Sequence, residues 1–171
     1  SACRGAEPAV GALGLIAGGG GLPLEVVRAC ERACRPVFVI RLKGMADPAL
    51  QAFAGADVGL VEFGHCLKAL RAAGCDGLAF TGKLRRPDFA SLKPDLAALK
   101  HLPAVVAAAR KGDDALLRAI LGVFEKEGFT VESVQDMAGG LVLPAGPFGR
   151  LSPGPEHRSD IAQALDVARE I

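Results

Sequence analysis

The sequence predicts an α/β fold in which helices cover a mostly parallel sheet. Short apolar runs alternate along the chain with segments of helical periodicity, a pattern typical of such a sheet. The first apolar run, Leu13–Ala17, ends in four glycines, and a helix-compatible segment follows at once. A strand, a glycine turn and a helix in this order predict a three-layer, Rossmann-like domain.

The elements follow from the same alternation. Five apolar runs are the predicted strands: Leu13–Ala17, Val37–Arg41, Val58–Glu62, Leu78–Thr81 and Thr130–Val134. The predicted helices are Leu22–Cys34, Pro48–Phe53, Cys66–Ala73, Leu96–Arg110, which Pro103 could break, and Asp113–Glu127. The last of these is the clearest, because its apolar residues form one stripe and Gly128 is a natural stop.

Composition divides the chain into three parts. Residues 1–11 are expected to be a flexible leader, since they lack the basic start and apolar core of a signal peptide. Residues 12–138 form the Rossmann-like domain. Residues 139–171 form a Gly/Pro-rich connector and a linking helix from Ser159. Because this helix reaches Ile171 without glycine, proline or a polar tail, we expect a larger protein.

Charge and composition exclude several function classes. The 171 residues carry a net charge of +1 and contain no Trp or Tyr, so nucleic acid is a disfavoured partner. No apolar run approaches the length needed to cross a membrane. The five cysteines are odd in number and lack C-x-x-C spacing, which argues against a disulfide framework or a zinc site. Their pattern indicates a reducing, cytoplasmic setting.

The glycine run is the first candidate binding site. Gly18, Gly19 and Gly20 precede a predicted helix, whose first N–H groups have no partner within the helix. Glycine also lets a ligand approach the backbone closely, and the helix dipole favours phosphate there. A tight strand–helix turn without a ligand explains the same residues equally well.

The usual dinucleotide fingerprint is missing. Read from Gly18, the pattern G-x-G-x-x-G requires glycine where the chain has Pro23. The second strand is followed by Arg41 where NAD sites place an acidic residue. The chain also contains no Gly-Lys-Ser or Gly-Lys-Thr of a P-loop. An NAD-dependent oxidoreductase is therefore disfavoured, whereas a phosphate-bearing ligand is not.

A basic segment forms the second candidate site. Gly82, Lys83, Arg85 and Arg86 directly follow a predicted buried strand. Ligands of open α/β sheets bind at the carboxyl ends of strands, and these cations suit phosphate oxygens. The alternative is a solvated basic loop.

The start of the fifth predicted helix forms the third candidate site. Asp113 and Asp114 have a sufficient structural role there, because acids complement the helix dipole and cap free N–H groups. Paired carboxylates also suit Mg²⁺, although one pair alone is weak evidence for a metal site. Arg118 lies four residues after Asp114 and could pair with it.

Three segments in register resemble one family. They are Ala17–Pro23, Gly82–Pro87 and Lys111–Arg118, the last followed by Glu127–Phe129. The chain from Leu13 onward resembles LpxI, the UDP-2,3-diacylglucosamine pyrophosphatase of lipid A biosynthesis in Gram-negative bacteria. The resemblance implies two α/β domains with the substrate between them. It also implies Mg²⁺-dependent hydrolysis of the pyrophosphate to UMP and 2,3-diacylglucosamine 1-phosphate (lipid X).

The resemblance also implies roles for the candidate residues. The three glycines would place N–H groups near the nucleotide or its phosphates, and Gly82 would allow close approach. Five cations would face the substrate's charge: Lys83, Arg85, Arg86, Lys111 and Arg118. Asp113 and Asp114 would bind Mg²⁺ through water or orient neighbouring cations. The catalytic residues are expected in a C-terminal domain that this chain lacks, so the chain alone is expected to be inactive.

Partners follow from the same resemblance. The substrate's acyl chains need an apolar groove, for which the segment Leu96–Ala109 is a candidate, although a core helix explains it too. The expected location is cytoplasmic, and the resemblance leaves open a peripheral contact with the inner membrane and a homodimer. A non-catalytic Rossmann-like module that binds a nucleotide or sugar phosphate is the alternative function.

Overall fold

The structure is a computed structural model that describes residues 11–84, 95–134 and 149–170. The chain divides into two compact units, Ser1–Leu141 and Val142–Ile171. We describe each unit by itself. The first unit contains the sheet and all three candidate segments.

The first unit is built on a five-stranded parallel sheet. Its strands run in the order β3-β2-β1-β4-β5, which is the order of a Rossmann-like half-sheet (β3-β2-β1) extended by two strands beyond β1. They are β1 (Ala12–Ala17), β2 (Val37–Leu42), β3 (Gly55–Val58), β4 (Cys75–Thr81) and β5 (Thr130–Val131).

Helices cover both faces of this sheet. They are α1 (Leu22–Arg32), α2 (Phe63–Ala72), α3 (Leu96–Ala109) and α4 (Asp113–Lys126), with a short 3-10 helix at Pro48–Ala52. On one face α1 and the 3-10 helix bury Val26, Val27 and Leu50 against the sheet. On the other face α2 and α4 bury Leu70 and Phe124. The prediction of a three-layer α/β domain is confirmed.

The central strand β1 sets where loops meet. Ala17, its last residue, is in register with Arg41 of β2 and Thr81 of β4. The carboxyl ends of β1 and β4 therefore lie side by side. In open α/β sheets a ligand site lies at this edge, where the strand order reverses. The glycine run and the basic segment both begin here.

The third strand was wrongly predicted. The expected span was Val58–Glu62, but β3 runs over Gly55–Val58 and shares only Val58 with it. Residues after Val58 form a turn in which the N–H of Glu62 donates to the carbonyl of Gly59 at 3.0 Å. The apolar residues of this turn lie beside a cavity, described below, instead of in the sheet. Helix α2 accordingly begins at Phe63, three residues before the predicted Cys66.

The other boundaries differ less. Helix α3 continues through Pro103, so this proline does not break it. The predicted Thr130–Val134 strand shortens to Thr130–Val131. The next residue, Glu132, forms a two-pronged ion pair with Arg35, with both distances at 2.7 Å. The predicted stop of α4 is confirmed: Gly128 adopts φ +94° directly after the helix.

The second unit contains little more than one described helix. A 3-10 turn at Pro155–His157 leads into α5 (Arg158–Glu170), which matches the helix predicted from Ser159. Side chains along α5 are exposed, including the apolar Ile161 and Leu165. Residues 1–10 of the predicted leader, and residues 139–148 of the predicted connector, lie outside the described residues. Among the described helices, none combines the length and apolar composition that crossing a bilayer requires.

Candidate functional site

The glycine run and the basic segment are joined through their backbones. Gly19 and Lys83 form a two-residue antiparallel bridge: the Gly19 N–H donates to Lys83 O at 2.9 Å, and the Lys83 N–H donates to Gly19 O at 2.7 Å. The Gly18 N–H donates to Thr81 O at 2.9 Å. The loops after β1 and β4 are therefore joined to each other. The sequence did not predict this contact.

This pairing requires glycine at two of the predicted positions. A Cβ atom on Gly18 would lie 2.6 Å from Lys83 O, and one on Gly82 would lie 2.8 Å from Gly19 O. Gly82 also adopts φ +90°, which disfavours other residues. The close approach expected of Gly82 thus occurs, but the group approached is the glycine loop of the protein itself.

The pairing also changes which N–H groups could face a ligand. Those of Gly18 and Gly19 are already used within the fold. Gly20 (φ +91°) and Gly21 have open space where a Cβ would be, and α1 begins immediately afterwards at Leu22. Since the first N–H groups of a helix lack partners within it, the open donors of this candidate anion site are the N–H groups of Gly20, Gly21, Leu22 and Leu24; Pro23 has none.

Thr81 lies at the base of the paired loops. Its side chain is 8% exposed, and within the described part of the chain its Oγ1 has no hydrogen-bond partner. Thr81 lies two residues after Ala79, which packs in the cluster under α1, so both point to the α1 face. Buried hydroxyls without a partner are uncommon. The residue therefore marks the α1 side of the loop pair as a place where hydrogen bonding is incomplete.

The end of β2 lacks an acidic ribose ligand, as predicted. Arg41 is buried there; its Nε donates to Asp57 at 2.9 Å and its Nη1 donates to the Leu50 and Phe53 carbonyls at 3.3 and 3.1 Å. The Arg41 guanidinium in turn lowers the pKa of Asp57. Arg41 thus joins β2 to the 3-10 helix and to β3.

An apolar cavity of about 370 Å³ opens at the same edge of the sheet, on the face opposite α1. Its exposed rim includes Leu84, Asp113 and Leu117. Its deep wall consists of side chains that are less than 10% exposed: Ile16, Ile40, Leu42, Val58, Cys66, Ala98, Val123 and Phe124. Voids larger than a water molecule are few in protein interiors. A cavity of this size with such walls is suited to an apolar ligand.

The cavity is held open by rigid elements. Phe124 makes edge-to-face contacts with Phe63, Phe80 and Phe129, at centroid distances of 4.9, 5.5 and 6.3 Å. Asp95 joins two helices: one oxygen accepts from the Ala98 N–H of α3 and the other from the Gly64 N–H of α2, both at 2.7 Å. The aromatic contacts of Phe124 fix the wall of the cavity, and the hydrogen bonds of Asp95 fix α2 and α3 above it.

The thiol in the cavity wall is not a nucleophile. Burial raises the pKa of Cys66 to about 12, so it stays protonated at neutral pH. Cys66 therefore acts as a small apolar wall residue. Cys30 and Cys75 are free and buried as well.

Glu62 lies on the cavity rim and is ion-paired. Its carboxylate accepts from the Gly59 N–H at 2.8 Å and from Lys43 Nζ at 3.0 Å, and it lies 3.6 Å from His65 Nδ1. The Gly59 N–H and then the Lys43 ammonium hold the pKa of Glu62 at about 2. Glu62 is therefore ionised, and it fixes the turn that precedes α2.

The start of α4 lies on the cavity rim through Asp113. Asp114 pairs with Arg118 at 2.6 Å, in an exposed i,i+4 contact. Lys111 is exposed, and its N–H closes the end of α3 on the Ala108 carbonyl at 2.9 Å. The Asp114–Arg118 pairing that sequence spacing allowed is confirmed, and both side chains are about three-quarters exposed.

The described residues do not form a metal-binding cluster of their own. They contain no group of three or more His, Cys, Asp or Glu that could hold a metal ion. Asp113 and Asp114 supply at most two carboxylates. That number fits Mg²⁺ held mainly by substrate phosphates, but it does not make a protein cage. Arg85 and Arg86 lie outside the described residues.

Comparisons with known proteins agree with this architecture. Residues 12–141 match the model of the LpxI N-terminal domain. The chain belongs to the LpxI family. It is 57% identical over 159 residues to the UDP-2,3-diacylglucosamine pyrophosphatase LpxI of Caulobacter vibrioides. The match covers 93% of this chain but only 57% of that relative, so the chain spans a little over half of its length.

The cavity is the feature that sequence reasoning on this LpxI domain missed. The signal was the apolar pair Leu60–Val61, which follows β3 and lines the cavity. The sequence places this pair in the third predicted strand, because short apolar runs predict strands. Helix α3 was named as an acyl-groove candidate, and four of its residues line the cavity on one side: Ala98, His101, Leu102 and Val105.

The loop pairing predicts different effects at two neighbouring glycines. Gly18→Ala places a Cβ against Lys83 O, so we expect it to lower the free energy of unfolding by about 1–3 kcal/mol. Gly21→Ala meets open space at φ −79°, and we expect a change within about 0.5 kcal/mol. Urea unfolding of both variants checks this; equal losses would contradict the close approach.

Glu62 predicts an acid-dependent contribution to stability. Its pKa is lower in the folded state than the ordinary value of 4.5, so its contribution is full above about pH 4.5. It is lost as the pH falls toward about 2. We expect Glu62→Gln to be less stable than the wild type at neutral pH, with the difference shrinking over this range. Urea midpoints measured across it check this, and a pH-independent difference would contradict it.

Proposed function

We propose that this chain is the substrate-binding part of a UDP-2,3-diacylglucosamine pyrophosphatase, which hydrolyses that substrate to UMP and lipid X. One observation supports it above the others: an open anion-binding loop and an apolar cavity lie at the same edge of one sheet. Leu84 links them, since it lines the cavity and directly follows Lys83, which pairs with the glycine loop. A substrate with a pyrophosphate and acyl chains requires both kinds of surface. The Caulobacter relative is named as a UDP-2,3-diacylglucosamine pyrophosphatase, which agrees with a site that combines these two surfaces.

The phosphates are bound on the α1 side of the loop pair in this proposal. The N–H groups of Gly20, Gly21 and Leu22 and the dipole of α1 attract the negative charge. Lys83 is exposed beside them, and Arg85 and Arg86 follow it in sequence. Their charges would offset that of the pyrophosphate and of its transition state. Gly18, Gly19 and Gly82 act by holding the two loops together.

Hydrolysis requires residues beyond this chain in our proposal, because the relative is much longer. Mg²⁺ would neutralise charge on the pyrophosphate when bound. Asp113 and Asp114 are the candidates to hold it, directly or through water. Lys111 and Arg118 lie near them in sequence, so the start of α4 combines acidic and basic groups.

The proposed setting follows from the substrate. We propose that the protein acts in the cytoplasm of a Gram-negative bacterium, with a peripheral contact at the inner membrane through which it would reach an acyl-bearing substrate. We include a homodimer as a proposal that sedimentation of the longer protein would test.

Removing cations tests the phosphate site. We expect Arg86→Ala and Lys83→Ala to weaken binding of UDP-2,3-diacylglucosamine about tenfold or more, because charge-assisted bonds to phosphate are lost. Thermal stability should change little. Arg28→Ala is the matched control, since Arg28 is an exposed α1 cation paired with Glu25. Calorimetric titration and melting curves provide both readouts.

The activity itself is tested by UMP release in the presence of Mg²⁺. We expect none from this chain alone and turnover from the full-length protein. A full-length protein that neither binds nor hydrolyses the substrate would contradict the proposal. A melting-temperature loss with unchanged affinity would instead assign Arg86 a structural role.

A further inference from the structure

We infer that the apolar cavity holds one saturated acyl chain of the substrate and sets the chain length that the protein prefers. This inference rests on the proposed function for the identity of the lipid. The cavity itself is a property of the structure. It lies under α2, α3 and α4, at the carboxyl ends of β1 to β4.

The walls select hydrocarbon. The lining side chains are aliphatic or aromatic except at the rim, where Glu62, His101 and Asp113 lie. Apolar cavities in proteins stay dry and take up apolar molecules, because water finds no hydrogen-bond partners inside. A chain with its polar end at the rim and its methyl end inside satisfies both regions.

The volume selects one chain. About 370 Å³ is near the lower end of the range for small-molecule pockets, about 300–1,000 Å³. Exposure falls steadily from Leu84 and Leu117, at 49% and 44%, to Val58 at 1% and Ile40 at 0%. The cavity is therefore closed at its inner end. A second acyl chain would have to lie elsewhere.

The inner end is rigid. Phe124 is fixed by three aromatic neighbours, and the buried Val123 lies next to it in α4. Extra methylene groups would press against a packed core, which costs more than their burial contributes. A fixed end makes the cavity a ruler for chain length.

Helix α3 supplies a matched pair of test positions. Val105 lines the cavity, whereas Val106 lies on a shallow groove on the outer side of the same helix, beside Leu99 and Pro103. Both valines are half-buried. Replacing either by Trp adds the same volume to the same helix, but only Val105→Trp fills the cavity.

The experiment is calorimetric titration of this chain with saturated fatty acids from decanoate to hexadecanoate, below their micelle concentrations. We expect the affinity to rise about fourfold per methylene, from about 0.8 kcal/mol for each buried group, and then to level off when the cavity is full. Val105→Trp should lower the affinity for the longest acid about tenfold and shift the plateau to a shorter chain. Val106→Trp should match the wild type.

Two further measurements distinguish a failure of this inference from a failure of a variant to fold and from a failure of the proposed function. Val123→Ala enlarges the inner end and should shift the plateau to a longer chain, even if Val105→Trp does not fold. UMP titrated into the same samples reports the phosphate site alone. If UMP does not bind while fatty acids still do, the result contradicts the proposed function and leaves the cavity assignment intact. No fatty-acid binding, no plateau, or a loss confined to Val106→Trp overturns the cavity assignment.

Discussion

The backbone bridge between Gly19 and Lys83 is the constraint on which the site depends. Two short hydrogen bonds, at 2.9 and 2.7 Å, lock the loop after β1 to the loop after β4. The bridge uses the Gly19 N–H, which a phosphate would otherwise attract, and the next residues, Gly20, Gly21 and Leu22, are exposed at the start of α1. Glycine at 18 and 82 therefore builds the site, while Gly20 and Gly21 keep it open.

The two sides of the sheet have separate tasks. On the α1 side, the loop pair ends in a helix N-terminus that favours negative charge. On the opposite side, Phe124 and the Asp95 hydrogen bonds hold a cavity that favours hydrocarbon. Because β1 and β4 end side by side, both surfaces meet at one edge. This arrangement explains how one small domain could bind an amphiphilic substrate, and why its chemistry would require further residues.

Much of this could be predicted from local sequence. The apolar stripe of α4 and Gly128 predicted that helix correctly, because periodicity and a C-terminal glycine are local signals. The third strand failed, since Leu60 and Val61 are apolar for a cavity and not for the sheet. Gly18 illustrates a further limit: a ligand and a neighbouring backbone both require glycine, and only the tertiary contact with Lys83 distinguishes them. The roles of Arg85 and Arg86 stay predictions.

The most direct test of the account is a nuclear magnetic resonance map of this chain with UDP-2,3-diacylglucosamine bound. We expect the largest phosphate-induced amide shifts at Gly20, Gly21 and Leu22, with much smaller ones at Gly18 and Gly19. Contacts from one acyl chain should reach Phe124 in the cavity. Phosphate shifts away from the start of α1, or acyl contacts confined to the outer face of α3, would contradict the account.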